Sequence, residues 1–125
     1  MNSANTRFSL KARLQSIKYA IAGIRQFFIL EHNARIHLGA TVIVLLASFF
    51  FGVSKTEWIL LIIVISLVWI TEMINTCLEK AMDFITTEKR PQIQFIKDVA
   101  AGAVLVAAGM ALLVGSLIFL PKIFL

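Results

Sequence analysis

Residues 58–83, WILLIIVISLVWITEMINTCLEKAMD, decide the fold of this chain. The first half of this segment carries no charge, and polar residues then enter without a Gly or Pro to end the helix. If Glu72 is taken as 0°, Asn75, Glu79 and Asp83 fall at about 300°, 340° and 20° around the helix. Three carboxylates and an amide therefore share one stripe of an otherwise apolar helix. Because ionisable residues in a membrane-spanning helix are costly, this stripe is a candidate functional site.

Composition indicates an integral membrane protein. The chain has 125 residues, 59% of them hydrophobic, and a mean hydropathy of +0.88, which is too high for an ordinary soluble domain. We treat residues 1–125 as a single domain. The net charge is +5, and the basic residues adjoin apolar runs, so the expected partners are anionic lipid headgroups and not nucleic acid. The one cysteine, Cys77, cannot form an intrachain disulfide, and we expect it to be a small buried residue.

The pattern of the whole chain predicts an all-α membrane protein with one surface helix and three transmembrane helices. The surface helix is predicted over 7–30, and the transmembrane helices over about 35–53, 57–85 and 95–120. The surface helix has apolar residues at spacings of three and four, with basic residues on another face, as in a helix that lies in the membrane interface. Packing of this helix against the rest of the protein is the alternative interpretation.

Single residues suggest where these helices begin and end. Thr56 is the expected N-cap of the second transmembrane helix. Pro91 lies in the polar loop 86–94, so we expect the last helix to resume only near Phe95 and to end at Pro121.

The distribution of Lys and Arg predicts the orientation in the membrane. Six of them precede residue 36 and three lie in residues 86–98, whereas Lys55 and Lys122 flank the opposite ends of the helices. The positive-inside rule therefore places the N-terminus, the polar loop and the acidic end of segment 58–83 in the cytoplasm.

The polar side chains at this cytoplasmic end include the parts of a phosphoryl-transfer site. Carboxylates supply the oxygen ligands that Mg²⁺ prefers, and Mg²⁺ commonly completes its shell with water and substrate phosphates. Basic residues of the polar loop could meet phosphate oxygens. Neither a P-loop nor the motifs of protein kinases occur. His32 and His37 are isolated imidazoles, and we do not assign them a metal.

One motif resembles the prokaryotic diacylglycerol kinase/undecaprenol kinase family. The pattern is Glu72-x-x-Asn75-Thr76-x-x-Glu79-x-x-x-Asp83, followed by Lys97-Asp98 and by AAGAVL at 100–105. Upstream, SIKYAIAGIRQFF at 16–28, Glu31 and Arg35 match the family in order, so the likeness covers about residues 13–120.

The resemblance implies an ATP-dependent lipid kinase that uses Mg²⁺ and forms a homotrimer with active sites shared between subunits at the cytoplasmic face of the bacterial inner membrane. It implies that Glu72 is the catalytic base, that Asn75 orders the site, and that Glu31 and Glu79 hold the metal. The implied nucleotide-binding residues are Tyr19, Glu31, Glu79, Asp83, Glu88, Lys89, Arg90, Lys97 and Asp98. The implied lipid-substrate residues are Arg25, Gln26, Phe27, Phe28, Arg35 and Glu72.

Two departures from the family pattern leave alternatives open. Ala12 stands where the Gram-negative diacylglycerol kinases carry a basic residue. The neighbouring Arg13 lies about 100° further around the helix, so its side chain leaves the helix in a different direction from one at position 12. His37 stands where that branch has an acid, which favours undecaprenol over diacylglycerol as the substrate without settling the choice. A small oligomeric ion- or proton-conducting protein, or a structural membrane subunit, is the alternative to a kinase.

Overall fold

The computed structural model describes residues 7–125, which form four α-helices. They are α1 (Leu10–Leu30), α2 (His32–Phe50), α3 (Lys55–Ile85) and α4 (Pro91–Phe124). The described residues contain no strand, and α2, α3 and α4 are each long and apolar enough to cross a membrane. The predicted all-α fold with three candidate spans is therefore confirmed. The chain divides into two compact units, Met1–Arg35 and Ile36–Leu125, and each is described by itself.

The helix of the first unit, α1, begins three residues later than predicted. The Ser9 side chain accepts a hydrogen bond from the backbone N–H of Ala12 at 3.3 Å, so Ser9 is the N-cap and Leu10 the first helical residue. The helix ends at Leu30, and Glu31 adopts an extended conformation as its C-cap. Because α2 starts at His32, Glu31 alone separates the two helices.

Most of the α1 surface is exposed within its unit. Large apolar side chains on the predicted stripe are exposed, namely Leu10, Leu14, Ile17, Ile21 and Ile24, and Phe27 is the only buried residue of the helix. The guanidinium of Arg35 donates a hydrogen bond of 2.8 Å to the backbone carbonyl of Ile29, so it satisfies an acceptor in the last turn of α1.

A tight turn connects α2 to α3 in the second unit. Gly52 has a φ of +60°, a backbone conformation that glycine adopts without a steric penalty. Ser54, and not Thr56 as predicted, is the N-cap of α3. The Ser54 side chain accepts from the backbone N–H of Glu57, and the Glu57 carboxylate accepts in return from the Ser54 N–H. This reciprocal capping box satisfies two N–H groups at once, which a cap at Thr56 would not.

Both prolines of the last helix lie inside α4, contrary to the prediction. Pro91 occupies the first turn, where its missing N–H would have had no helical partner in any case, so α4 begins there and not at Phe95. Pro121 removes one backbone hydrogen bond near the end of the helix, and α4 continues to Phe124. The Lys122 ammonium in this last turn lies 3.2 Å from the Glu57 carboxylate.

The second unit is held together mainly by packing between α3 and α4. Its buried cluster consists of Val53, Leu61 and Ile118, with Trp58 and Phe119 packed against it, and it lies near the α2–α3 turn. At 1.5 Å per residue, α3 is about 46 Å long and α4 about 51 Å, against a bilayer core of about 30 Å. The polar end of α3 and the start of α4 can therefore extend beyond the hydrocarbon region, and this is where the candidate site lies.

Candidate active site at the polar end of α3

Glu72 is buried and makes one hydrogen bond. Its side chain is on α3, the residue is only 6% exposed, and its Oε1 lies 2.8 Å from Nε2 of His37 on α2. No other hydrogen bond to Glu72 occurs among the described residues, so Oε2 remains available. An unpaired buried carboxylate would be costly, and the imidazole offsets part of that cost. The geometry leaves one oxygen anchored and one oxygen able to accept a proton.

A second contact between α2 and α3 lies beside the first. The indole N–H of Trp69 donates to the Thr41 hydroxyl at 3.1 Å, and that hydroxyl donates to the His37 backbone carbonyl at 2.7 Å. The rings of His37 and Trp69 meet edge to face, with centroids 6.2 Å apart. The imidazole is therefore held against α3 at two successive turns.

A largely apolar cavity of about 430 Å³ opens beside His37 and runs between α2, α3 and α4. His37, Thr41 and Trp69 line its end nearest Glu72, and its other walls are mostly aliphatic, with Ser116 as the one other polar lining residue. Small residues of α4 keep it open, among them Ala108, Ala111 and Gly115. An apolar chain with a hydroxyl at one end matches this arrangement, because His37, which holds the Glu72 carboxylate, lines one end of the cavity.

The rest of the stripe becomes more exposed towards the end of α3. Asn75 and Glu79 are half-buried, and Asp83 is exposed. The Asn75 Oδ1 atom is buried without a hydrogen-bond partner among the described residues, and Glu79 makes no ion pair or hydrogen bond with them. An amide oxygen and a carboxylate four residues apart on one helix face are thus available to a ligand.

The exposed end of the stripe is tied to the start of α4. The Lys97 ammonium forms an ion pair and hydrogen bond with Asp83, which brings together two of the residues assigned to the nucleotide. Asp98 accepts from the side-chain amide of Gln94 at 2.7 Å. In the connection between the helices, Arg90 donates to Glu88 at 2.9 Å.

The other predicted site residues are placed as follows. Lys89 is exposed in the α3–α4 connection and makes no hydrogen bond or ion pair with the described residues. The remaining residues belong to the first unit, where Glu31 and Phe28 are half-buried, Phe27 is buried, and Tyr19, Arg25, Gln26 and Arg35 are exposed.

The donor set fits a hard divalent cation that keeps water and phosphate ligands. Among residues 7–125, no three His, Cys, Asp or Glu side chains lie close enough to form a complete metal site. Mg²⁺ commonly binds through one or two protein carboxylates and fills its shell with water and substrate phosphates. The unpaired Glu79 carboxylate and the orphaned Asn75 oxygen offer the kind of ligands that such a partial site needs.

His37 and Cys77 differ from the sequence-based expectations. His37 is not the isolated imidazole that the sequence suggests, because it pairs with Glu72 across α2 and α3. Cys77 is exposed and not buried as expected. It lies about 140° around α3 from Glu72, almost opposite the polar stripe.

Comparison with known proteins gives one consistent result. The family model described as prokaryotic diacylglycerol kinase matches residues 18–119. The chain is 35% identical to an undecaprenol kinase of Bacillus subtilis over 98% of this chain and 100% of that protein. It is 36% identical to a diacylglycerol kinase of Synechocystis over 88% of this chain and 63% of that protein. A diacylglycerol kinase of Haemophilus influenzae is 31% identical over 75% of this chain and 80% of that protein.

Proposed function

This chain belongs to the prokaryotic diacylglycerol kinase family, and on that premise we propose that it transfers the γ-phosphoryl group of ATP to the hydroxyl of a membrane lipid alcohol. Lipid kinase activity agrees with the names of its relatives, whereas nothing in them supports an ion-conducting or purely structural protein. The observation that carries the proposal is the buried Glu72 carboxylate, anchored through one oxygen beside an apolar cavity.

Undecaprenol is the substrate that we propose. The similarity to the Bacillus subtilis undecaprenol kinase extends over the full length of that protein, whereas the chain spans 63% of the Synechocystis diacylglycerol kinase. The cavity that His37 lines has few polar groups, which suits a prenyl chain that carries a single hydroxyl.

The reaction needs a base and charge neutralisation, and little covalent chemistry from the protein. Glu72 Oε2 takes the proton of the lipid hydroxyl as the alcohol oxygen bonds to the γ-phosphorus and the bond from that phosphorus to the β-phosphate oxygen of ATP breaks. The products are the lipid phosphate and ADP, and the proton on Glu72 later returns to water. Glu72 is therefore a catalytic residue in this proposal.

Mg²⁺ and ATP complete the proposed site. Glu79 and Glu31 are the proposed metal-holding residues, with Asn75 ordering the site, and the metal supplies neutralisation of phosphate charge when it is bound. Lys97 and Asp98 at the start of α4, with Asp83 and with Glu88 to Arg90, are proposed to bind the nucleotide. Lys97 already has a carboxylate partner, so it is held near the stripe before any phosphate arrives.

The cytoplasmic face of the bacterial inner membrane is the proposed location of this site. Membrane embedding agrees with the three long apolar helices and with the bacterial relatives. The excess of Lys and Arg before residue 36 and around the α3–α4 connection supports a cytoplasmic location for the polar end of α3.

A competition assay tests the choice of lipid. Purified protein in mixed micelles receives labelled ATP, Mg²⁺ and equal mole fractions of undecaprenol and diacylglycerol. We expect undecaprenyl phosphate to be the main labelled lipid. Preferential labelling of phosphatidic acid would contradict the choice of polyprenol and leave the lipid kinase proposal in place, whereas no labelled lipid from either alcohol would contradict the kinase proposal itself.

A further inference from the structure

We propose that His37 is a positioning residue for the Glu72 base. By donating from Nε2 to Glu72 Oε1, it fixes the plane of the carboxylate and directs Oε2 towards the lipid hydroxyl. This inference rests on the proposed function, because it assigns a role to a second residue of the same site.

The first argument is that Glu72 has no alternative anchor. The residue is buried, its carboxylate lies 2.8 Å from the imidazole, and it makes no other hydrogen bond among the described residues. A buried carboxylate without a hydrogen-bond donor would be strongly destabilised. Removing the imidazole would therefore leave the carboxylate free to rotate towards whatever donor or water it can reach.

The second argument is that the imidazole itself is held in place. The ring of His37 packs edge to face on Trp69, three residues before Glu72 on the same helix, and Thr41 links Trp69 to the His37 backbone. The ring contact with Trp69, itself anchored to α2 through Thr41, restricts the rotation of the His37 side chain. The hydrogen bond to Glu72 is therefore preorganised, as a positioning role requires.

The third argument is that His37 and Glu72 form an isolated polar pair. Within residues 36–125, Glu72 and Trp69 contact the imidazole from α3, and Thr41 of α2 bonds to the His37 backbone carbonyl and to the Trp69 indole. The residues that α4 contributes to the shared cavity are almost all apolar. The imidazole has no competing carboxylate among these neighbours, so its Nε2 atom is committed to Glu72.

The test compares variants at His37 that keep or lose a donor. His37→Gln retains an N–H that can reach Glu72, whereas His37→Leu and His37→Met fill the space without one. Misplacing a catalytic group by about 1 Å costs on the order of 100-fold in rate, so we expect kcat to fall about 10- to 100-fold in the Leu and Met variants, with the lipid KM unchanged. We expect His37→Gln to recover most of the lost kcat.

His32→Leu is the matched control, because His32 is an exposed histidine of the same helix without a hydrogen bond to the described residues. This variant should behave as wild type.

A double-mutant cycle separates positioning from general damage to the structure. If His37 acts through Glu72, adding His37→Leu or His37→Met to Glu72→Gln should not lower the residual rate further, because the group it positions is already inactive. A further drop of tenfold or more in both double variants would indicate an independent effect on the structure and would overturn the inference. Having two donor-less substitutions keeps the cycle available if one of them does not fold.

The outcomes distinguish this inference from the proposed function. If the wild type transfers phosphate to lipid and Glu72→Gln does not, but the Leu and Met variants match wild type, only the positioning role fails. A higher lipid KM with unchanged kcat would also overturn it, because His37 would then be a lipid contact. Equal losses in the Gln, Leu and Met variants would exclude the hydrogen bond as the cause. No lipid phosphorylation by the wild type would contradict the proposed function itself.

Discussion

At the scale of single residues, Glu72 is the one charged side chain that the described residues bury. It lies in a helix whose preceding 14 residues, 58–71, carry no charge, where an ionisable group is expensive to keep. The hydrogen bond with His37 lowers the free-energy cost of burying the carboxylate. The second oxygen, Oε2, makes no hydrogen bond with the described residues and can accept a proton. Asn75, one turn further along, has a buried oxygen without a partner, which is also unfavourable unless a ligand binds there.

Glu79→Gln tests the proposed metal-holding carboxylate. Replacing a carboxylate by an amide removes the negative charge that attracts Mg²⁺, so the Mg²⁺ concentration for half-maximal activity should rise about tenfold or more. Glu57→Gln is the matched control, because it changes a carboxylate near the opposite end of the same helix, 15 residues before Glu72. Identical Mg²⁺ titrations for Glu79→Gln and wild type would contradict the assignment, and Glu31→Ala extends the same test to the second proposed ligand.

At the scale of helices, the order of functional groups follows their depth along α3. Glu72 lies beside the apolar cavity, Glu79 is about 10 Å further along the helix, and Asp83 is paired with Lys97 of α4 beyond it. The helix therefore places a base near the lipid, free ligands in the middle and a charged pair at its exposed end. Such an order suits a reaction between a lipid in the membrane and a nucleotide in water.

Lys97→Ala tests the nucleotide side of this arrangement. A charge-assisted hydrogen bond is worth about 1.5–3 kcal/mol, so losing one to a phosphate should raise the KM for ATP about tenfold or more. Lys122→Ala is the matched control, since Lys122 also pairs with a carboxylate of α3 but at the other end of the bundle. If both variants kept the wild-type KM for ATP, Lys97 would serve only to hold α3 and α4 together.

Ala111→Phe tests whether the cavity between the helices receives the lipid chain. Ala111 lines the cavity, so an aromatic ring there should occupy part of the space and raise the KM for undecaprenol several-fold while the KM for ATP stays the same. Ala103→Phe places the same ring on an exposed position of α4 that does not line the cavity. Equal lipid kinetics for the two variants would show that the chain binds elsewhere.

At the scale of the whole molecule, much apolar surface has no partner within one chain. In the most apolar 18-residue stretch of α3, only 22% of the residues are buried within the chain. In the corresponding stretches of α2 and α4, 11% are buried. Lipid covers such surfaces in a membrane, and further copies of the chain can cover part of them. We therefore propose that the chain forms the homotrimer that the family resemblance implies, with part of this apolar surface buried between subunits.

Native mass spectrometry in detergent and subunit mixing test the trimer and its shared sites. We expect three copies per particle. We also expect that co-reconstituting Glu72→Gln with Glu31→Ala recovers activity above the sum of the two separate preparations, because in a shared site one subunit supplies Glu72 and its neighbour supplies Glu31, so mixed trimers contain intact sites. A monomeric mass would contradict the trimer, and purely additive activity would contradict the sharing of sites.

Hydropathy was sufficient to predict the number and type of helices, because long uncharged runs have few structural alternatives. The helix ends were less predictable, although two signals were available. Ser54 with Glu57 three residues later matches a capping box, and Pro91 suits the first turn of a helix as well as a loop. The pairing of His37 with Glu72 depends on the relative rotation of α2 and α3, which single-helix periodicity does not specify.

The most direct test of the central claim compares wild type with Glu72→Gln in mixed micelles that contain undecaprenol, Mg²⁺ and γ-labelled ATP. Glutamine keeps the size of the side chain and removes its ability to take a proton, and general-base catalysis is commonly worth about 10²–10⁴-fold in rate. We predict lipid-dependent phosphate transfer by the wild type and a loss of at least about 100-fold in the variant, with the mass of the assembly unchanged. Full activity in Glu72→Gln would contradict the assignment of Glu72 as the base.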